Sequence, residues 1–246
     1  MAMEIRMSGL THQGMVRTNN EDSISTLDDL GVAILADGMG GHQAGEVASS
    51  MAVEMVKQFF TETMGNGDST PIGEQMLESV ELANTAVFEL SQQRPECAGM
   101  GTTLVVCAFV SGKIITAHVG DSRLYRLREN NLEQITQDHS VVQELVSRGF
   151  MSPEEANNSM NKNLVTKALG IEAAVEADLD EQDYQAGDLY LLCSDGLSDV
   201  VSDGEIEKSL IDCQGDIDVA AKTLVEQANT AGGPDNISVV LVRVFD

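Results

Sequence analysis

Twice in this chain a short apolar run stops abruptly on an Asp-Gly pair. Val32-Ala33-Ile34-Leu35-Ala36 ends at Asp37-Gly38, and Leu189-Tyr190-Leu191-Leu192-Cys193-Ser194 ends at Asp195-Gly196. Runs this short, without polar alternation and bounded by turn residues, fit buried strands. A fold that accepts them must cover its sheets and still leave a carboxylate at each strand end. Gly38, Gly40 and Gly41 allow the backbone to approach a ligand closely, and let a carbonyl turn toward a cation without Cβ hindrance. Taken alone, the first stretch is equally a strand-to-helix turn in which Asp37 accepts backbone N–H bonds.

The rest of the chain alternates between two periodicities. Ala44, Val47, Ala48, Met51, Ala52, Met55 and Phe59 recur at helical spacing, as do Met76, Val80, Ala83, Val87 and Leu90 before Pro95, with the Met residues read as core filler. From Thr102 the rhythm becomes that of strands. TLVVCAFV, KIITAHVG, SRLYRL and LEQIT, separated by Ser111-Gly112, Gly120-Asp121 and Glu129-Asn130-Asn131, predict one antiparallel meander. Ser152-Pro153-Glu154-Glu155 and Ser202 with Glu205 carry helix-start signals. Ile206, Leu210 and Ile211 mark one late helix, Val219, Ala220, Leu224 and Ala228 another, and ISVVLVRV closes the chain as a strand. Sheets interleaved with long helices predict a layered α/β sandwich (α+β in connectivity) with mainly antiparallel sheets. Residues from about 145 to 170, polar and poor in core residues, read as a surface flap on a single domain spanning 1–246.

Charge narrows the function. Forty acidic side chains against 14 basic ones give a formal net charge of −26, which repels phosphate backbones and anionic membranes. No nucleic-acid or membrane partner is expected. An acidic protein acting on an anionic substrate needs a local positive charge, which divalent cations supply. The four cysteines show neither zinc-site pairing nor disulfide density, and Cys107 and Cys193 sit in strand-like runs as core residues. The N-terminal MAMEIRMSGL has no signal-peptide core, so a cytoplasmic location and a monomer are the expectation.

Asp37 and Asp195 end strands and Asp235 precedes one, so in an antiparallel arrangement all three can meet at one sheet edge. An oxygen-only set of this kind favours Mg²⁺ or Mn²⁺, and a pair of ions would make a hydrolytic centre. Arg17, in the polar cluster from Gly14 to Asp22, offers a planar fork suited to phosphate.

Arg17 with Asn20-Glu21-Asp22, Ala36 to His42, Gly101-Thr102-Thr103, Val119 to Arg123, Asp138-His139-Ser140, Ser194 to Leu197 and Asp235 to Ser238 form an ordered series, from Gly14 to Val242. That series resembles the motifs of the PP2C-type, or PPM, metal-dependent protein phosphatases, bacterial type. The resemblance implies a four-layer α-β-β-α sandwich with two central, mainly antiparallel sheets flanked by helices. It implies two Mn²⁺ or Mg²⁺ ions and a weaker third. By similarity, Asp37 would bridge both ions, the Gly38 carbonyl would bind one, and Asp195 and Asp235 would hold the other. Glu21 and Asp22 would act nearby, and Asp121 would help hold the third. Phosphoserine or phosphothreonine in proteins would then be hydrolysed by direct attack of a metal-activated water, with Arg17 on the phosphate and Cys193 uninvolved. An opposing Ser/Thr kinase is implied as a partner. Two departures stand out. Met39 occupies a position where eukaryotic relatives carry histidine, leaving His42 and His139 as the motif histidines, both read as structural. Ser159-Met160 replace a His-Pro pair ahead of Asn163 to Gly170. A phosphatase for a small-molecule phosphoester, and a catalytically silent metal-stabilised binding module of the same fold, are the alternatives.

Overall fold

The computed structural model of the chain describes residues 4–40, 44–65, 70–152, 155–156, 159 and 164–245. Gly41, His42, Pro153, Glu154, Met160 and Asn163, which the sequence reading singled out, lie outside the described residues, as does most of the 157–163 stretch of the expected flap.

The strands are β1 (Glu4–His12), β2 (Asp22–Leu27), β3 (Val32–Met39), β4 (Gly101–Thr102), β5 (Leu104–Val110), β6 (Lys113–Val119), β7 (Arg123–Arg128), β8 (Asn131–Gln134), β9 (Asp178–Asp183), β10 (Leu189–Cys193) and β11 (Ile237–Phe245). The helices include α1 (Ala44–Gly65), α2 (Ile72–Gln93), α3 (Val141–Ser147), α4 (Asp195–Ser198), α5 (Asp203–Asp212) and α6 (Ile217–Thr230). One sheet runs β1-β11-β10-β7-β8. The other runs β2-β3-β5-β6-β9, with β4 on β3, and the pairings throughout are antiparallel.

The strand period of two sorts each apolar run onto two cores. On β3, Val32, Ile34 and Ala36 pack under α1 and α2, while Ala33 and Leu35 enter the space between the sheets. β5 divides in the same way, with Val106 outward and Val105 and Cys107 inward. In the other sheet, Leu191, Cys193, Val239 and Leu241 meet α5 and α6, and Tyr190, Leu192, Val240 and Val242 fill the inter-sheet layer. A strand covered on both faces has no position for a polar residue, which is why these segments lack alternation. Each fully buried Leu or Val contributes about 1.5–3 kcal/mol relative to exposure. The result is the expected α-β-β-α stack, with Cys107 and Cys193 in its cores.

Four local readings change. The predicted meander is two hairpins in different sheets: β5–β6 turns at Ser111-Gly112 and β7–β8 at Glu129-Asn130, all four residues at positive φ as tight hairpin turns require. The chain crosses between the sheets at Gly120–Ser122. β3 does not stop at Ala36, because Gly38 and Met39 pair with Thr102 and Gly101 of β4. β9, the acidic DLDEQD, was not visible as a strand; it is an edge strand held by its backbone pairing to β6, where charge on the open side is tolerated and discourages further pairing. Val219 on α6 is 48% exposed and outside the core, while Ala220, Leu224 and Ala228 are buried.

Both capping boxes form. Ser152 and Ser202 donate their backbone N–H to Glu155 and Glu205 at 2.8 and 3.0 Å.

Candidate functional site

Adjacent antiparallel strands deliver the carboxylates in pairs. Cys193 lies opposite Val239, so Asp195, just past β10, and Asp235, just before β11, reach the same end of one sheet. In the other sheet Asp22 sits directly opposite Asp37. The Gly120–Ser122 crossover brings Asp121 in between. Gly120 has φ +107, and a Cβ there would lie 2.6 Å from Thr103 Cγ2, so the crossover is built for glycine.

Arg17, Glu21, Asp37, Gly38, Asp121, Asp195 and Asp235 line one cleft of about 310 Å³. Asp22, 8% exposed, stands behind it. All of the site residues expected from the sequence are thus gathered at one place. Arg17 Nη2 reaches Asp235 Oδ2 at 2.6 Å, so the guanidinium at the mouth engages a carboxylate and keeps its remaining N–H groups for other acceptors. Among the described residues, the one acid, His or Cys trio with ligand atoms within 4.8 Å of each other is His118, His139 and Asp178.

That trio is a structural support. Gly120 N donates to His139 Nδ1 at 3.1 Å, which occupies the lone pair there and puts the neutral ring's proton on Nε2, 3.3 Å from Asp178 Oδ1. Burial, then the His118 and Lys167 charges, lower the His139 pKa, so the ring is neutral. A metal at Nε2 would have to displace the proton that the Gly120 bond places there. His139 N also donates to Gly120 O at 2.9 Å, and its ring stacks on His118 with centroids 4.8 Å apart. The pair of bonds fixes the backbone beside Asp121.

The electrostatics of the cleft are those of crowded, dehydrated acids. Burial, then the Asp22, Asp195 and Asp121 charges, push the Asp37 carboxyl well above the usual range. Burial, then Asp121, Asp199, Asp235 and Asp22, raise Asp195 likewise. Burial lifts Asp22 to about 6 against the opposing effect of the nearby Ser238 and Ser194 hydroxyls, and lifts Asp121, beside Asp138, to about 6.

These groups suit a divalent cation on three counts. Asp22 Oδ1 is buried with no hydrogen-bond partner. At Gly38 a Cβ would stand 2.1 Å from Gly45 O and 2.5 Å from Glu21 O, so only glycine passes. The donor set is entirely oxygen, as hard cations require.

A second set of residues holds the acids in place and escaped the sequence reading as site residues. Asp37 N donates to Thr103 Oγ1 and Thr103 N to Asp37 O, both at 2.9 Å. Ser194 Oγ donates to Asp22 Oδ2 at 2.9 Å and accepts from Ser238 N at 3.0 Å. Asn236, 4% exposed, accepts from Glu21 N at 2.8 Å and donates to the carbonyls of Gln13 and Asn19, stitching the Arg17 loop to the start of β11. The available signal was adjacency: each is a hydroxyl or amide within a residue or so of a motif position.

The protein phosphatase 2C family model matches residues 11–231. The chain is similar to the serine/threonine phosphatase stp of Listeria welshimeri, at 38% identity over 95% of this chain and 93% of that one. It is similar in structure to the serine/threonine phosphatase PstP/Ppp of Mycobacterium tuberculosis (TM-score 0.91, 38% identity, 98% and 99% of the two chains). A structure of the PstP catalytic domain in complex with two manganese ions matches with a TM-score of 0.87 and 39% identity over 100% of both chains.

Proposed function

Because this chain belongs to the protein phosphatase 2C family, we propose that its carboxylate cleft is the reaction centre and that residues 1–246 work as one catalytic domain. The protein is a serine/threonine phosphatase dependent on Mn²⁺ or Mg²⁺, and its substrates are phosphoproteins. Asp37, Asp195 and Asp235, with the Gly38 carbonyl, would hold two ions; Glu21 lines the same cleft with Asp22 just behind, and Asp121 would serve a weaker third. Such ions would supply water activation for attack on phosphorus and positive charge for the phosphoryl oxygens.

The chain's own residues do the rest. Arg17 is the planar donor at the mouth and orients the phosphate through N–H groups that Asp235 does not use. Ser194, Thr103 and Asn236 hold the carboxylates in orientation, so little reorganisation is needed when charge develops. Cys193 is fully buried and its thiol is raised to about 12 by that burial, so it is no nucleophile. His139 is committed to the Gly120 backbone and positions Asp121.

The observation that carries the assignment is the crowding of Asp22, Asp37, Asp121 and Asp195, each raised in pKa mainly by burial, in a cleft where cations would relieve the repulsion. The relatives' names and the complete carboxylate set favour neither a small-molecule phosphatase nor a silent module. A cytoplasmic monomer working against a Ser/Thr kinase completes the proposal; no helix among the described residues is long and apolar enough to cross a membrane. Hydrolysis of a phosphothreonine peptide in Mn²⁺, abolished by EDTA and faster than that of phosphorylated metabolites at equal concentration, is the expected result. Turnover unaffected by chelation would defeat it.

A further inference from the structure

A second, larger groove of about 730 Å³ opens from the reaction cleft, with Asp121 and Asp195 forming the wall between them. A phosphoprotein whose phosphate sits in the cleft must lay its flanking chain on adjoining surface. The groove's lining holds six acidic side chains and one basic, Arg123. Ions in the cleft would neutralise Asp121 and Asp195. Arg123 is already spent on Asp138, with Nε at 3.0 Å from both carboxylate oxygens and Nη2 at 2.7 Å from one. Asp203 and Glu205 then remain, and the described lining holds no further lysine or arginine.

Both carboxylates are fixed in place. Arg123 Nη1 donates to Tyr125 Oη at 2.9 Å, and Tyr125 Oη donates in turn to Asp203 Oδ1 at 3.0 Å. Glu205 Oε2 accepts from the backbone and hydroxyl of Ser202 at 3.0 and 2.6 Å. Among the described residues, Asp203 Oδ2 and Glu205 Oε1 have no protein donor. An oriented carboxylate with an oxygen still open is matched by a guanidinium or ammonium group, and it repels an acidic flank.

Resting on the phosphatase reading above, we infer that this groove receives a basic flank of the substrate, so that the enzyme selects phosphopeptides carrying arginine or lysine near the phosphorylated residue. Asp203 and Glu205 are specificity determinants and take no part in the chemistry.

The test compares phosphothreonine peptides identical except for a pair of Arg, Ala or Glu residues about three positions away, on either side, with an aryl phosphate as a substrate too small to reach the groove. Two exposed but oriented ion pairs predict kcat/KM roughly tenfold higher for the Arg peptide than for the Glu peptide, on one side of the phosphothreonine. That ratio should shrink in about 0.5 M salt. Asp203→Asn with Glu205→Gln, or Asp203→Asn alone, which keeps an acceptor for Tyr125, should bring the ratio toward one while aryl phosphate turnover stays unchanged. Equal turnover of all the peptides, or a preference that survives both variants, overturns the groove inference alone. Hydrolysis of the aryl phosphate but of no phosphopeptide overturns the phosphatase reading and this inference with it.

Discussion

Asp121 offers a quantitative handle on the cleft. Burial, and then the neighbouring Asp138, raise its carboxyl from an ordinary 3.8 to about 6. Between those values the folded protein holds a proton that the unfolded chain has released, so the stability this site contributes falls as pH rises through the window. The penalty is absent below 3.8 and complete above about 6. At 1.36 kcal/mol per decade of proton affinity it amounts to about 3 kcal/mol. Asp121→Asn removes the charge and keeps the volume. In EDTA at about pH 7.5 the variant should therefore exceed the parent by up to about 3 kcal/mol, or roughly 6–12 °C in Tm for a chain of this size. At about pH 4.5 the gain should shrink to about 1 kcal/mol. Mn²⁺ should narrow or reverse the gap, because an ion that binds only the folded parent stabilises it by mass action. Paired urea or thermal melts at the two pH values, with and without Mn²⁺, read this directly. A variant no more stable than the parent at the higher pH in chelator, or a gain equal at both, would refute the argument that dehydrated like charges govern this cleft.

Asp37→Asn should lower Mn²⁺-dependent peptide hydrolysis by two orders of magnitude or more and weaken Mn²⁺ uptake in calorimetry, while the fold survives by circular dichroism. Arg17→Ala removes a charged phosphate donor and should reduce kcat/KM by about tenfold or more, partly restored by Lys, in steady-state kinetics at saturating metal. Gly38→Ala must place a Cβ 2.1 Å from Gly45 O, so it should cost about 3 kcal/mol in denaturation midpoint and reduce metal uptake. Leu192→Ala, between the sheets and fully buried, should cost about 2–5 kcal/mol in the same measurement, with metal affinity unchanged in the surviving fold.

The chain itself determined its strands and helices wherever burial was two-sided or periodic. Val32–Ala36 and Leu189–Cys193 read as covered strands, and the stripe of Met76, Val80, Ala83 and Val87 as the buried face of a helix. The Ser202–Glu205 cap was equally legible, because its bonds span three residues. The motif carboxylates were legible as residue types at strand ends, though their convergence was not. Which sheet each strand joined was decided in space: Gly120–Ser122 reads as one more hairpin turn until β7 is seen pairing with β10, 62 residues or more away in register. β9 carries almost no apolar signal, because an edge strand is held by backbone hydrogen bonds that leave no mark on side-chain choice. The Arg17–Asp235 contact and the Asn236 stitch join residues more than 200 positions apart. Periodicity is local and survives in the sequence; a site assembled across two sheets exists only once long-range pairing has brought its parts together.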